Sequence, residues 1–188
     1  MTDTALLIID IQNDYFPGGA MELEGAGAAG AKAASALKQF RSQGLPIIHV
    51  RHLSTRPGST FFLPGTKGAE IHAAVTPEKG ETVVEKNFPN SFRATGLKEI
   101  LEKQQVKNLV VAGMMTHMCV DATTRAAADL GFRCSLAHDA CATRALSFGT
   151  TKVPAEHVHC SFLSALNGAY AAVQPARALV EATLHGDA

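Results

Sequence analysis

No two cysteines of this 188-residue chain stand in C-x-x-C spacing. The four thiols, at positions 119, 134, 141 and 160, also lack the spacing of zinc ligands. They read as free thiols of a reducing compartment, with Cys134, Cys141 and Cys160 in structural roles. An excess of charge is missing too: 17 basic residues face 17 acidic ones. A balanced chain without a basic cluster gives nucleic acid or an anionic membrane little to hold. No apolar run approaches the roughly 18 residues needed to cross a bilayer, and the N-terminus enters a strand without a basic leader. These absences predict a cytoplasmic protein whose partner is a small molecule, with no nucleic acid and no membrane. Residues 1–188 suit one domain with a single well-buried core.

Short apolar runs alternate with alanine-rich helical stretches along the whole chain. Strands are predicted at residues 5–9, 47–51, 82–86, 108–113, 132–137 and 169–174. Helices are predicted at 26–43, 95–105, 120–130, 155–167 and from Pro175 onward, with a short one near 69–74. This pattern predicts an α/β fold of three layers, αβα, around a mostly parallel, Rossmann-like central sheet of about six strands joined by right-handed crossovers. The irregular stretch from His52 to about Gly80 is long for a compact domain, which marks it as functional.

Gly113-Met114-Met115-Thr116-His117-Met118-Cys119-Val120-Asp121 is the most informative segment. It sets a cysteine where the run Leu109 to Ala112 gives way to a helix. Unpaired N–H groups and the positive end of the helix dipole favour an anion there, so Cys119 is expected to be shifted toward thiolate. Two other strand ends carry chemistry. Ala5 to Ile9 is closed by Asp10, followed by Gln12-Asn13-Asp14. Thr82 to Glu85 delivers Lys86, followed by Asn87-Phe88-Pro89-Asn90-Ser91-Phe92. Singly, Asp10 also reads as a turn cap and Lys86 as a solvated strand end. In open parallel sheets, however, C-terminal strand ends converge on one crevice, which would bring Asp10, Lys86 and Cys119 together.

The segments Ile9 to Asp14, Lys86 with Asn90-Ser91-Phe92, and Gly113 to Asp121 with Ala127, Asp129 and Gly131 resemble the isochorismatase-like cysteine hydrolases. That superfamily includes nicotinamidases and other amidases. The resemblance runs from Ala5 to about Val173. It implies that Asp10, Lys86 and Cys119 form a catalytic triad that cleaves a C–N bond of a small amide or ureide through a thioester. It also implies a cis peptide between Met114 and Met115, and an oxyanion hole made by the N–H groups of Met115 and Cys119. No cofactor is demanded.

Nicotinamidases hold a divalent metal through an Asp-x-His pair after the second strand, where this chain has Val50-Arg51-His52. His52 and His72 then read as isolated loop histidines, and no metal is expected. Phe16, Phe61, Phe62, Phe92 and His117 are candidates for the substrate pocket. The apolar segment Phe61-Phe62-Leu63 and the oligomers common among such proteins predict a homo-oligomer, dimer or tetramer. Three other readings stay open: a vinyl ether hydrolase, which Cys119 argues against, a metal-assisted nicotinamidase, and a non-catalytic or redox thiol protein.

Overall fold

Continuous burial makes the two most apolar runs the centre of the sheet. The computed structural model describes residues 3–185. β1 (Thr4–Ile9) and β4 (Asn108–Met114) have every residue buried, and they pair in parallel from Thr4 beside Asn108 to Ile9 beside Gly113. A strand covered on both faces needs apolar residues at every position, which is why neither run alternates. β2 (Ile47–His52) and β3 (Thr82–Lys86) extend the sheet beyond β1. β5 (Arg133–Ala142) and β8 (Ala172–Gln174) extend it beyond β4. The order is β3-β2-β1-β4-β5-β8, and all five pairings are parallel.

The faces separate by residue parity, as the period of a strand requires. Leu6 and Ile8 of β1 join the core under α1 (Ala26–Ser42) and α5 (Ala176–His185), where Ala29, Ala33, Leu37, Phe40, Leu179 and Val180 pack. Ala5, Leu7 and Ile9 join the opposite core. There they meet Leu97 and Leu101 of α2 (Leu97–Lys103), Ala127 of α3 (Asp121–Asp129) and Leu166 of α4 (Ala155–Leu166). This is the three-layer αβα arrangement. No helix among the described residues is long and apolar enough to cross a membrane.

Three local differences from the sequence-based expectation have physical causes. β5 runs to Ala142 rather than stopping at Ala137, because its register against β4 slips: Val111 lies beside Leu136 but Gly113 beside Cys141. The bulge lets the polar pair His138-Asp139 interrupt the buried run from Leu136 to Ala142, and Asp139 Oδ1 accepts from the N–H of Ala176 at 2.7 Å where α5 begins. A hairpin, β6 (Leu146–Phe148) and β7 (Thr151–Val153), follows β5. Its two-residue turn is served by Gly149 at φ +58°. Instead of a helix at 69–74 there are two separate 3₁₀ turns, Lys67–Ala69 and Ala73–Val75, the second capped by His72 Nδ1 accepting from the N–H of Ala74.

Gly113 fixes how closely the two central strands approach. Its φ is +146°, and a Cβ there would overlap the carbonyl oxygen of Ile9. Only glycine gives β4 this path beside β1.

Candidate active site

The strand order creates a switch point. From β1 the chain moves outward to β2 and β3, then returns to pair β4 against the other side of β1. Side chains just past the carboxyl ends of these strands face one crevice. Asp10 follows β1, His52 ends β2, Lys86 ends β3, and Cys119 lies in the turn after β4. Asp10 takes a left-handed conformation, φ +51°, and its N–H donates to Val50 O at 3.0 Å. Aspartate is among the few side chains that tolerate that region. His52 and Lys86 are direct register partners across β2 and β3.

Lys86 is the hub. Its side chain and that of Asp10 are both fully buried, with Nζ 2.6 Å from Asp10 Oδ2. Nζ also lies 2.9 Å from His52 Nδ1 and 3.3 Å from Cys119 Sγ. An ammonium has three N–H donors and no acceptor, so three acceptors satisfy it, and the imidazole must present an unprotonated Nδ1. Burial and the adjacent ammonium both lower the His52 pKa, which agrees with a neutral ring. For Lys86 burial opposes the charge, but the adjacent Asp10 carboxylate outweighs it and holds the pKa above the ordinary lysine value. Asp10 Oδ2 meets the ammonium, while its other oxygen, Oδ1, has no partner among the described residues and so has acceptor capacity to spare.

Cys119 does not open an α-helix. It sits in a wide π-helical turn, Thr116–Val120, in which the N–H of Val120 donates to Met115 O five residues back at 3.2 Å; α3 starts only at Asp121. Nor is the thiol shifted toward thiolate, as the helix-dipole argument predicted. Burial and the Asp10 carboxylate push it well above the usual cysteine value, and Lys86 recovers only part of that. The resting group is a thiol with a carboxylate at hand. The peptide between Met114 and Met115 is cis.

Cys119 and Met115 open onto a cavity of about 480 Å³. Of the residues predicted to line it, Phe61 and Phe62 do, while Phe16, Phe92 and His117 are placed elsewhere. Phe16 stacks on the His72 ring at 3.5 Å. Phe92 packs with Phe132 under the opposite face. His117 turns its Nδ1 to Thr143 and its ring to Phe162. The Phe61-Phe62-Leu63 segment does not form an outward patch: Phe62 is buried against Tyr15 and only Leu63 is exposed. Cys160, expected to be structural, is exposed on α4, whereas Cys134 and Cys141 are buried.

Sequence reasoning read His52 only as an isolated loop histidine, whereas it closes β2 beside Lys86; it did not single out Tyr15, and it gave Gln12 and Asp14 no task. Gln12 ties the end of β2 to the following loop, donating to His52 O and Ala69 O at 2.9 Å each and accepting from the His52 N–H at 2.7 Å. Asp14 anchors the cavity loop by accepting from the N–H of Phe62 at 2.6 Å.

Donor atoms of Asp10, His52 and Cys119 lie within 4.8 Å of one another, a set that resembles a metal site. The Lys86 ammonium already contacts all three, so a divalent ion would have to displace it. The nicotinamidase arrangement is also incomplete. Val50 stands where its carboxylate would be, and His72 faces Phe16 and a separate cavity with Asn13, Pro17 and Lys67. These residues do not fit a catalytic divalent metal.

The family model described as the isochorismatase domain matches residues 4–153. The chain belongs to the isochorismatase family. An isochorismatase family protein of Bacillus subtilis, YddQ, is 49% identical over 178 residues, covering 95% of this chain and 99% of that protein. A crystal structure of an isochorismatase-type hydrolase from Oleispira antarctica superposes with a TM-score of 0.91 at 52% identity, covering 95% of this chain and 96% of the other. A maleamate amidohydrolase of Pseudomonas putida is 32% identical over 143 residues, covering 69% of this chain and 67% of its own length. This isochorismatase-family protein is accordingly a hydrolase, and its crevice is where the family's chemistry has to be sought.

Proposed function

We propose that this isochorismatase-family hydrolase cleaves the C–N bond of a small amide or ureide, with Cys119 as nucleophile, Asp10 as proton carrier and Lys86 as fixed charge. The observation that carries the proposal is the Lys86 ammonium, 2.6 Å from a buried carboxylate and 3.3 Å from a thiol that opens onto a cavity. The amidohydrolase activity named for the Pseudomonas relative supports the choice of bond. Asp10 takes the thiol proton as sulfur attacks the carbonyl carbon, and Lys86 offsets the charge in the transition state. The N–H groups of Met115 and Cys119 receive the oxyanion. The tetrahedral adduct collapses as Asp10 returns the proton to the leaving nitrogen, which departs as ammonia or an amine. Asp10 then draws a proton from water as the water oxygen adds to the thioester carbon; collapse breaks the C–S bond, and Asp10 returns that proton to the departing Cys119 sulfur as the acid is released.

Ammonia release from a panel of small primary amides is the direct test. Turnover should appear with at least one amide, and an acyl mass on the Cys119 peptide should be trapped by rapid quenching. Dialysis against a chelator is expected to leave that rate unchanged. Loss on chelation with recovery on adding zinc or manganese would overturn the metal-free scheme.

His52 is expected to matter through Lys86. Replacing His52 by leucine removes one of the three acceptors of a buried ammonium, which costs about ten- to a hundredfold in kcat, the range for hydrogen bonds to charged groups. His52→Asn sets an oxygen near the place of Nδ1 and should restore most of the rate. Equal rates for wild type and His52→Leu would remove His52 from the apparatus.

A further inference from the structure

Tyr15 is enclosed with the reactive group, yet the protein leaves its hydroxyl unused. The residue is 1% exposed and forms the last position of the turn Asn13–Tyr15. Its backbone is pinned at both ends: the N–H donates to Gln12 O at 3.1 Å, and the carbonyl accepts from the N–H of Leu23 at 3.0 Å. The ring is held edge-on by Phe62 at 4.6 Å and flanked by Phe61 at 6.0 Å. No hydrogen bond to the phenol stands among the described residues; burial, helped by the Asp10 and Asp14 carboxylates and opposed by Arg144, raises its pKa and keeps it protonated. The ring lines the same cavity as Cys119. The hydroxyl is not sealed off from that cavity, so a rigid ring presents a free donor to whatever enters it.

The charge around that cavity indicates what kind of group would do so. Arg56 and Arg144 line its wall, and neither has an ion-pair partner among the described residues. No acidic side chain lines it. Uncompensated guanidinium groups on a concave surface favour an electron-rich ligand group. Of the two parts of an amide, the acyl part stays tethered to the thiol through both halves of the reaction, so a fixed donor is best used on it.

We propose that the Tyr15 hydroxyl donates a hydrogen bond to an acceptor on the acyl part of the substrate, and that this acceptor is a carboxylate placed between Tyr15 and Arg144. The proposal rests on the amide-hydrolase reading and adds the substrate class: an amide acid rather than a hydrocarbon amide. A site built to hydrogen-bond a substrate discriminates strongly against an analogue that lacks the group.

The test compares succinamate with butyramide, which carries a methyl group where succinamate has its carboxylate. Wild type should prefer succinamate. Tyr15→Phe keeps the ring and should lower kcat/KM for succinamate about 30-fold, chiefly through KM, while butyramide changes by less than about twofold and Tm does not fall. Arg144→Gln should weaken succinamate in the same selective way. Equal losses on both amides, no loss on succinamate, or a wild-type preference for butyramide would overturn the proposal. If wild type hydrolyses neither amide, the hydrolase reading is what is in question, and the subsite is then measured by calorimetric titration of succinate into Cys119→Ala. Binding weakened at least about tenfold by adding Tyr15→Phe supports the subsite. Absence of succinate binding overturns it.

Discussion

Replacing Cys119 by alanine is expected to abolish amide turnover, with kcat/KM falling by at least about a thousandfold, while the protein remains folded. The side chain contributes one buried sulfur to the core beneath β4, so its removal costs only about 1 kcal/mol, seen as a shift of a few degrees in Tm. Cys119→Ser should be inactive as well, because a hydroxyl is a weaker nucleophile than sulfur beside the same carboxylate. The protonation state gives an independent readout. Burial and Asp10 hold the thiol proton on, so the thiolate fraction is small near neutrality and grows as pH rises toward the elevated pKa. Iodoacetamide labelling of the Cys119 peptide should therefore still be climbing near pH 10, above the ordinary cysteine range of about 8–9. Exposed Cys160 should label readily, and Cys134 and Cys141, pushed by burial up to about 12, should lag. Wild-type turnover by Cys119→Ala would end the mechanism.

Removing the Lys86 charge should damage both stability and rate. Lys86→Met leaves the Asp10 carboxylate buried and unpaired, and breaking such a pair from one side costs about 3–5 kcal/mol. The urea midpoint should fall accordingly, and hydrolysis should drop below detection. The double variant Asp10→Asn with Lys86→Met removes both charges. It should recover most of the lost stability without any activity, since an uncharged pair of similar shape packs at little cost. That divergence separates the electrostatic role of the pair from its chemical one. A Lys86→Met protein with wild-type midpoint and rate would refute both roles.

β1 and β4 were legible because central strands need unbroken apolar runs, and the convergence of Asp10, Lys86 and Cys119 was legible because Asp10 directly follows β1, Lys86 closes β3 and Cys119 lies in the turn after β4. His52 was not. It lies at a strand end like Lys86, but its value depends on the register that sets it beside Lys86, and register is not written in a single strand. The thiol was misread for a related reason. A short segment suggests a helix start, whereas the wide turn and the burial beside Asp10 come from packing. Tyr15 gave no signal because an aromatic residue beside a turn looks the same whether its hydroxyl faces solvent, protein or a cavity. The β6–β7 hairpin did carry one, Gly149 and Thr150 between alternating residues, too short to stand out without β5 leading into it.

The loop between β2 and β3 is clasped at its base, where the N–H of Ser54 donates to Phe62 O at 2.8 Å and Asp14 holds the N–H of Phe62. All nine residues from 54 to 62 face the cavity, yet none of the three atoms proposed to react belongs to them. Half of the cavity wall is thus carried on one segment that enters and leaves at a single point, so insertion, deletion or exchange within it would reshape the space beside Tyr15 and Arg144 while the strand ends keep the same spacing.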